Sequence, residues 1–295
     1  MIWLIGNKGM LGYDVEKYLL EKEIKYWATD MEVDITDFKK LEKFGKDKKI
    51  KWVINCAAYT NVDKAEEETE IAFKINQEGV RNIALFCSQR KARLIHISTD
   101  YVYDGKRSNM EYYYEEDKPN PLSVYGRSKL AGEEEIKGIL KEYYIIRTAW
   151  LYGANGSNFV NTMLSLFKEK ESVRVVKDQY GVPTYSKDLA QAILDIIEKN
   201  SDDYGVYHFS NIGRTSWFNY AKEIYKHSKK FGLIDNDKVV EILPVKTEEY
   251  PTDATRPKNT ILCKDKIINV FGIEIRSWIE ALEEYLYELS LQNKR

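Results

Sequence analysis

Apolar and polar positions alternate along the first half of this chain in blocks. A short apolar run is followed by a polar or glycine-rich break, and then by a helical period. Met1-Ile-Trp-Leu-Ile5 is an apolar run of strand length, and residues 13–20 follow with helical spacing. The alternation returns with strands over 25–29, 51–56, 93–98 and 143–147, and with helices over 71–90 and 122–141. Strands spaced by helices predict an α/β fold built on a doubly wound parallel sheet. Residues 104–120, with Tyr112, Tyr113 and Tyr114 among charges and prolines, read as a long surface loop, of the kind that often carries function above such a sheet. Beyond Tyr152 the alternation is less regular. Helices over 159–170, 186–199, 217–231 and 277–289 are assigned to a smaller cap. The predicted division is 1–152 for the sheet domain and 153–295 mainly for the cap, with some cap segments returning to the sheet.

Composition narrows the classes. The chain has 295 residues, is 43% hydrophobic and carries a formal charge of −2, enough for a large buried core. Near-neutral charge argues against a nucleic-acid partner held by bulk electrostatics. A first strand that starts at residue 1 leaves no room for a leader, and no apolar run reaches membrane-spanning length, so no membrane partner is expected. Cys56, Cys87 and Cys263 are scattered, as reduced thiols of a cytoplasmic protein would be. His96, His208 and His227 are scattered too, and no ligand cluster is visible. No metal is expected, and the chemistry must come from an organic cofactor.

The break after the first strand, Gly6-Asn-Lys-Gly9-Met-Leu-Gly12, opens a helix. Strand, glycine turn and helix start form the arrangement that cradles a pyrophosphate. The spacing is Gly-x-x-Gly-x-x-Gly, against the Gly-x-Gly-x-x-Gly of typical dehydrogenases. The second strand ends at Asp30, 18 residues beyond Gly12. An acid there accepts from ribose hydroxyls and repels a 2′-phosphate, and no arginine follows it, so NADH is favoured over NADPH. Asp34, just after, can equally cap the next helix.

Tyr125 and Lys129 lie four residues apart on the predicted helix over 122–141, which stacks phenol and ammonium on one face. A fixed positive charge there is expected to lower the tyrosine pKa and let it exchange a proton near neutral pH. Ligands sit at the carboxyl ends of parallel strands. Ala57-Ala58-Tyr59-Thr60 stands at one such end, with small residues that let a flat cofactor approach. Ser98-Thr99-Asp100-Tyr101 stands at another, with hydroxyls that can bond a carbonyl oxygen under reduction.

Taken together, these segments resemble the extended short-chain dehydrogenase/reductases, and within them the dTDP-4-dehydrorhamnose reductases. The resemblance runs over essentially the whole chain. It is carried by residues 6–12, 55–66, 98–105 and 121–133, by Arg147-Thr-Ala-Trp-Leu-Tyr-Gly153, by Asp178-Gln-Tyr-Gly-Val-Pro-Thr184 and by Thr255-Arg-Pro257. It implies an NAD(P)-binding Rossmann-like domain and a substrate-binding cap, and NAD(P)H-dependent reduction of the C4 keto group of dTDP-4-dehydro-L-rhamnose to dTDP-L-rhamnose. By the same resemblance Tyr125 protonates the C4 oxygen, Lys129 holds the nicotinamide ribose and Thr99 bonds the reacting oxygen. Gly6, Gly9, Met10, Leu11 and Gly12 would cradle the pyrophosphate. Asp30, Asp34 and Ile35 would hold the adenosine half, and Ala57, Ala58, Tyr59, Asn76 and Ser98 would line the cofactor. Asp100 and Trp150 would meet the dTDP-sugar, and Tyr101 is placed with them. On sequence grounds Arg256, between Thr255 and Pro257 in a segment too broken for a helix, is the candidate for the diphosphate, or else an arginine bracing its loop. Some members bind magnesium at a dimer interface. Asp14 fits that pattern, but Lys187 stands where an acid is expected, which argues against the metal and leaves a monomer or a homodimer without it. Two other readings share the fold. A nucleotide-sugar epimerase or dehydratase would share the Tyr-Lys pair, but a dehydratase normally adds an Asp-Glu pair that Thr99-Asp100-Tyr101 lacks. A non-catalytic NAD(P)-binding regulatory subunit would not need Thr99, Tyr125 and Lys129 intact.

Overall fold

The computed structural model describes residues 1–292. Its centre is a six-stranded, wholly parallel sheet. Across the sheet the strands run Gly205–Phe209, Tyr143–Thr148, Arg93–Thr99, Trp52–Asn55, Ile2–Ile5 and Tyr26–Thr29. Successive residues of a strand face opposite sides, and here both sides are covered. Ile2 and Leu4 point into a core with Val15 and Leu19 of helix Met10–Glu21 and Ile193 of helix Ser186–Lys199. Trp3 and Ile5 point the other way, into a core with Leu41, Ile83, Phe86 and Ile136. A parallel strand buried on both faces must be apolar at every position, and Ile2–Ile5 is.

The chain leaves Ile2–Ile5 toward Tyr26–Thr29 on one side and then crosses to Trp52–Asn55 on the other. This reversal opens a crevice at the carboxyl ends of those strands. Gly6 lines it with φ +82°, and a Cβ there would lie 2.7 Å from the Ala57 nitrogen. A Cβ on Gly12 would lie 2.0 Å from the Gly6 carbonyl oxygen, so the glycine turn closes only because both positions lack side chains.

Several elements refine the sequence reading, in which some later segments return to the sheet. Helix Ser186–Lys199, assigned from the sequence to the cap, lies against helix Met10–Glu21 on the sheet; Leu189, Ile193 and Ile196 are fully buried there. Strand Gly205–Phe209 and helix Asp265–Phe271 also come from the second half and complete the sheet edge and its cover. An amphipathic helix shows in sequence which face is buried, but not which layer buries it. The single helix expected over 71–90 consists of α-helices Thr69–Phe73 and Val80–Arg90 joined by a π-helical turn, Lys74–Gly79. The remaining helices, Phe159–Glu169, Trp217–Lys230 and Trp278–Gln292, pack with two-stranded sheets around a second core rich in tyrosine and tryptophan. Among the described residues no helix is long and apolar enough to cross a membrane.

Candidate active site

The crevice above Ile2–Ile5 and Trp52–Asn55 is a cavity of about 670 Å³ lined by Gly6, Gly9, Asp30, Asp34, Ile35 and Ala57, among others. Helix Met10–Glu21 begins there with Gly9 as its cap and no side chain on its first amides, a ready anion site that the glycine turn leaves uncrowded. Asp30 accepts from the amides of Lys8 (3.1 Å) and Met31 (2.9 Å). Asp34 holds the Thr36 amide and hydroxyl at 2.9 and 2.8 Å, which keeps its carboxyl below the usual range. Lys8 and Lys40 line the same cavity. The sequence reading looked for an arginine after Asp30 and missed these two cations, which come from the glycine turn and from the next helix.

Asn55, at the end of its strand, accepts the Ala57 amide at 3.0 Å and so shapes the Ala57-Ala58 floor. Asn76 sits fully buried in the π-helical turn. It brackets the Tyr59 backbone (2.9 and 3.0 Å) and donates to Ser128 at 3.0 Å. Its polar atoms are thus engaged in bracing the cofactor floor against the helix that carries Tyr125, and they do not line the cavity. Ser98 is likewise turned inward. Its hydroxyl donates to Glu133 at 2.6 Å, within a buried network that includes the Arg147–Glu133 ion pair at 2.6 Å.

Helix Val124–Ile139 carries Tyr125 and Lys129. It starts cleanly because the Ser123 hydroxyl accepts the Gly126 amide at 3.1 Å. The bare Gly126 lets the helix meet the Tyr101 backbone, 2.3 Å from where a Cβ would sit. Tyr125 packs edge-on against Tyr101, with centroids 5.7 Å apart, and the nearby Thr99 hydroxyl opposes part of its pKa rise. Burial pushes the phenol up to about 12, and Asp100 adds to the rise. The sequence reading expected Lys129 to lower it. Instead Lys129 donates to the Ile97 carbonyl at 2.6 Å and faces His96, while its own pKa is pushed down to about 8, chiefly by burial. Desolvation outweighs the through-space charge. Asp100 accepts from Thr99 at 3.1 Å, and its carboxyl is pushed up to about 7 by burial, against the pull of the Thr260 and Thr99 hydroxyls. Its Oδ2 has no hydrogen-bond partner among the described residues.

A second cavity, of about 800 Å³, lies in the cap and is lined by Arg256, Arg174, Gln179, Trp217 and Tyr250 among others. Arg256 does not stand free in it. Its guanidinium is paired with Asp63 at 2.9 and 2.6 Å, and also donates to the Ala254 carbonyl. Sequence alone could not reveal a partner 193 positions away. Trp150 has φ +47° and stacks on Trp217 with centroids 3.5 Å apart. Trp217 escaped the sequence reading because it presents only as the first residue of an amphipathic helix. Tyr101, packed on Tyr125, lies close enough to Arg256 at the cap cavity to raise its pKa. Lys129 faces His96, which Asn55 ties to the Ala57 floor of the crevice. Thr99, Tyr125 and Lys129 line neither cavity themselves, but these neighbours tie the group to both. Away from them, Asp14 is buried and accepts from the Ser186 hydroxyl, while Lys187 holds Glu288 at 2.5 and 2.7 Å. No cluster of three or more acidic, histidine or cysteine side chains able to hold a metal ion is found among the described residues.

A family model described as "RmlD substrate binding domain" matches residues 1–291. The spore coat polysaccharide biosynthesis protein SpsK of Bacillus subtilis is 44% identical over 81% of this chain and 79% of its own. A dTDP-4-dehydrorhamnose reductase of Aggregatibacter actinomycetemcomitans is 37% identical over 95% of this chain and 96% of its own. The crystal structure of dTDP-4-dehydrorhamnose reductase from Bacillus anthracis in complex with NADP superposes with a TM-score of 0.89 at 39% identity. That match covers 97% of this chain and 98% of that one. A Rossmann-like crevice and likeness over the full length agree: this chain belongs to the RmlD family, that of the dTDP-4-dehydrorhamnose reductases.

Proposed function

We propose that the chain reduces the C4 keto group of dTDP-4-dehydro-L-rhamnose to dTDP-L-rhamnose with NAD(P)H. The observation that carries this reading is a dinucleotide crevice and a second cavity large enough for a nucleotide sugar, with Thr99, Tyr125 and Lys129 tied to both through Tyr101 and His96. The glycine turn fits a dinucleotide, since Gly6 and Gly12 leave the space that side chains would fill at the start of helix Met10–Glu21. When bound there, the reduced cofactor supplies a hydride.

The protein's own part is orientation and proton supply. Tyr125 starts as a neutral phenol at physiological pH, as a proton donor must, and gives its proton to the C4 oxygen as negative charge builds there. Thr99, which now donates to Asp100, would turn to donate to the same oxygen. Lys129, anchored on Ile97, would hold the nicotinamide ribose and steady the phenolate that Tyr125 leaves behind. Trp150 on Trp217 forms an apolar wall for the sugar. Arg256 acts chiefly by bracing Asp63 at the cavity wall, leaving Arg174 as a further cation for the diphosphate. Asp30 favours NADH, while Lys8 and Lys40 beside it can meet a 2′-phosphate, so both cofactors are accommodated. Asp14 and Glu288 are satisfied inside one chain by Ser186 and Lys187, which supports a metal-free enzyme, monomer or homodimer, and three free cysteines suit the cytoplasm. The test is to incubate the purified chain with NADH or NADPH and dTDP-4-dehydro-L-rhamnose, following cofactor oxidation and identifying the sugar. Formation of dTDP-L-rhamnose is expected. No oxidation with either cofactor, or reduction only of a different keto-sugar, would overturn the reading.

A further inference from the structure

Around Lys129 the hydrogen-bond roles are forced by the backbone. Asn55 Oδ1 accepts the Ala57 amide at 3.0 Å. That leaves Nδ2, which can only donate, to face the buried His96, whose Nδ1 lies 3.0 Å away. Turning the amide over would set Nδ2 against the Ala57 N–H, donor against donor. Nδ1 of His96 therefore accepts and carries no proton. An imidazolium is excluded, and the single ring proton sits on Nε2. That nitrogen points at Lys129 Nζ, 3.5 Å away, while Lys129 donates to the Ile97 carbonyl at 2.6 Å. The buried ammonium thus meets an N–H where an acceptor would have stabilised it.

We propose that His96 is a positioning residue which, locked by Asn55 with its proton on Nε2, disfavours the ammonium form of Lys129. The other charged groups facing the lysine act in the opposite sense. Glu133 on the same helix favours the ammonium, while Cys56 at the end of the neighbouring strand stays a neutral thiol. Glu133 is largely neutralised by Arg147 and held by Ser98, and Tyr125 on the lysine's own helix stays a neutral phenol. The low Lys129 pKa and a His96 held well below its usual range, both mainly through burial, agree with this arrangement. Its use rests on the reductase reading. There the charge one helical turn from Tyr125 is lost as Lys129 gives up its weakly held proton, so the rate falls on the alkaline side.

The histidine state is testable in the unmodified protein, because the chain has only three histidines. With ¹⁵N-labelled histidine, NMR should find His96 protonated on Nε2 and bare on Nδ1 from about pH 5 to 9. An Nδ1-protonated ring, or an imidazolium in that range, overturns the proposal. With ¹³Cε-labelled lysine, the Lys129 signal is identified by its loss in Lys129→Met. In His96→Phe its titration midpoint should move up by on the order of one unit. A midpoint unmoved or lowered in a folded His96→Phe variant also overturns it, and if that variant does not fold, the ring state of the unmodified protein still decides. Neither measurement uses a sugar, so failure of the reductase reading leaves both readable. In an active enzyme the alkaline limb of the kcat/KM profile should move up with the lysine, whereas a merely structural histidine would lower the rate at every pH alike.

Discussion

At the scale of single residues, burial sets the proton inventory of the site. Tyr125 holds its proton to about 12, so it enters each turnover as an acid. Tyr125→Phe removes only the hydroxyl and should lower kcat by roughly 10²–10⁴ while NADH affinity, measured by fluorescence titration, stays near the parent value. Near-normal turnover in that variant would refute the assignment. Asp100 carries a carboxyl raised to about 7. Below about pH 4, folded and unfolded chains both keep that proton. Between there and pH 7 the unfolded chain releases it first, so stability falls as pH rises. Asp100→Asn removes the titration, and its melting temperature relative to the parent should climb steadily from pH 4.5 to 8; a constant difference would contradict the burial argument. Asp30 is exposed to a gentler contest. Asp30→Ala should raise NADPH use relative to NADH, because Lys8 and Lys40 would then face a 2′-phosphate without an opposing carboxylate. Steady-state kcat/KM with each cofactor measures it.

At the scale of elements, the glycine turn and the Tyr125 helix show how little room local chemistry leaves. A methyl on Gly12 would fall 2.0 Å from the Gly6 oxygen, so Gly12→Ala must pry the turn open. We expect a loss of about 1–3 kcal/mol of stability, with weakened dinucleotide binding, read by thermal denaturation with and without NADPH. These two elements were legible in the sequence because their constraints are local: three glycines at one strand end, and a phenol and an ammonium one helical turn apart. What stayed hidden was pairing at a distance. Nothing near Asn76 or Ser98 tells that one grips the Tyr59 backbone and the other Glu133. Nothing near Arg256 announces Asp63. The lowered tyrosine pKa expected from the i, i+4 lysine failed for a related reason, since periodicity reports which groups are neighbours but not how much water their shared site excludes. The π-helical turn at Lys74–Gly79 was equally invisible, because one inserted residue shifts a helical pattern without breaking it.

At the scale of the whole molecule, the two halves are not separable pieces. The sheet face holding Ile2 and Leu4 is covered partly by helix Ser186–Lys199, and the Tyr143–Thr148 strand is flanked by Gly205–Phe209. A fragment of residues 1–152 should therefore fail to give a folded, dinucleotide-binding domain, which circular dichroism and amide NMR would report. The intact chain should unfold in a single transition; a fragment with native-like spectra and affinity would show that the later segments are accessory. The fold is α/β with a doubly wound parallel sheet, as the alternation of strand and helix implies, but the layer to which each later helix belongs is decided by contacts far along the chain. The late arrival of Gly205–Phe209 also has a consequence on the ribosome. At about 5–20 residues per second, the hydrogen-bonding edge of Tyr143–Thr148 emerges several seconds before the strand that will occupy it. During that interval the nascent chain offers an open edge to any neighbouring nascent chain, so the yield of native protein should depend on how densely ribosomes load its message and on the chaperones that shield that edge.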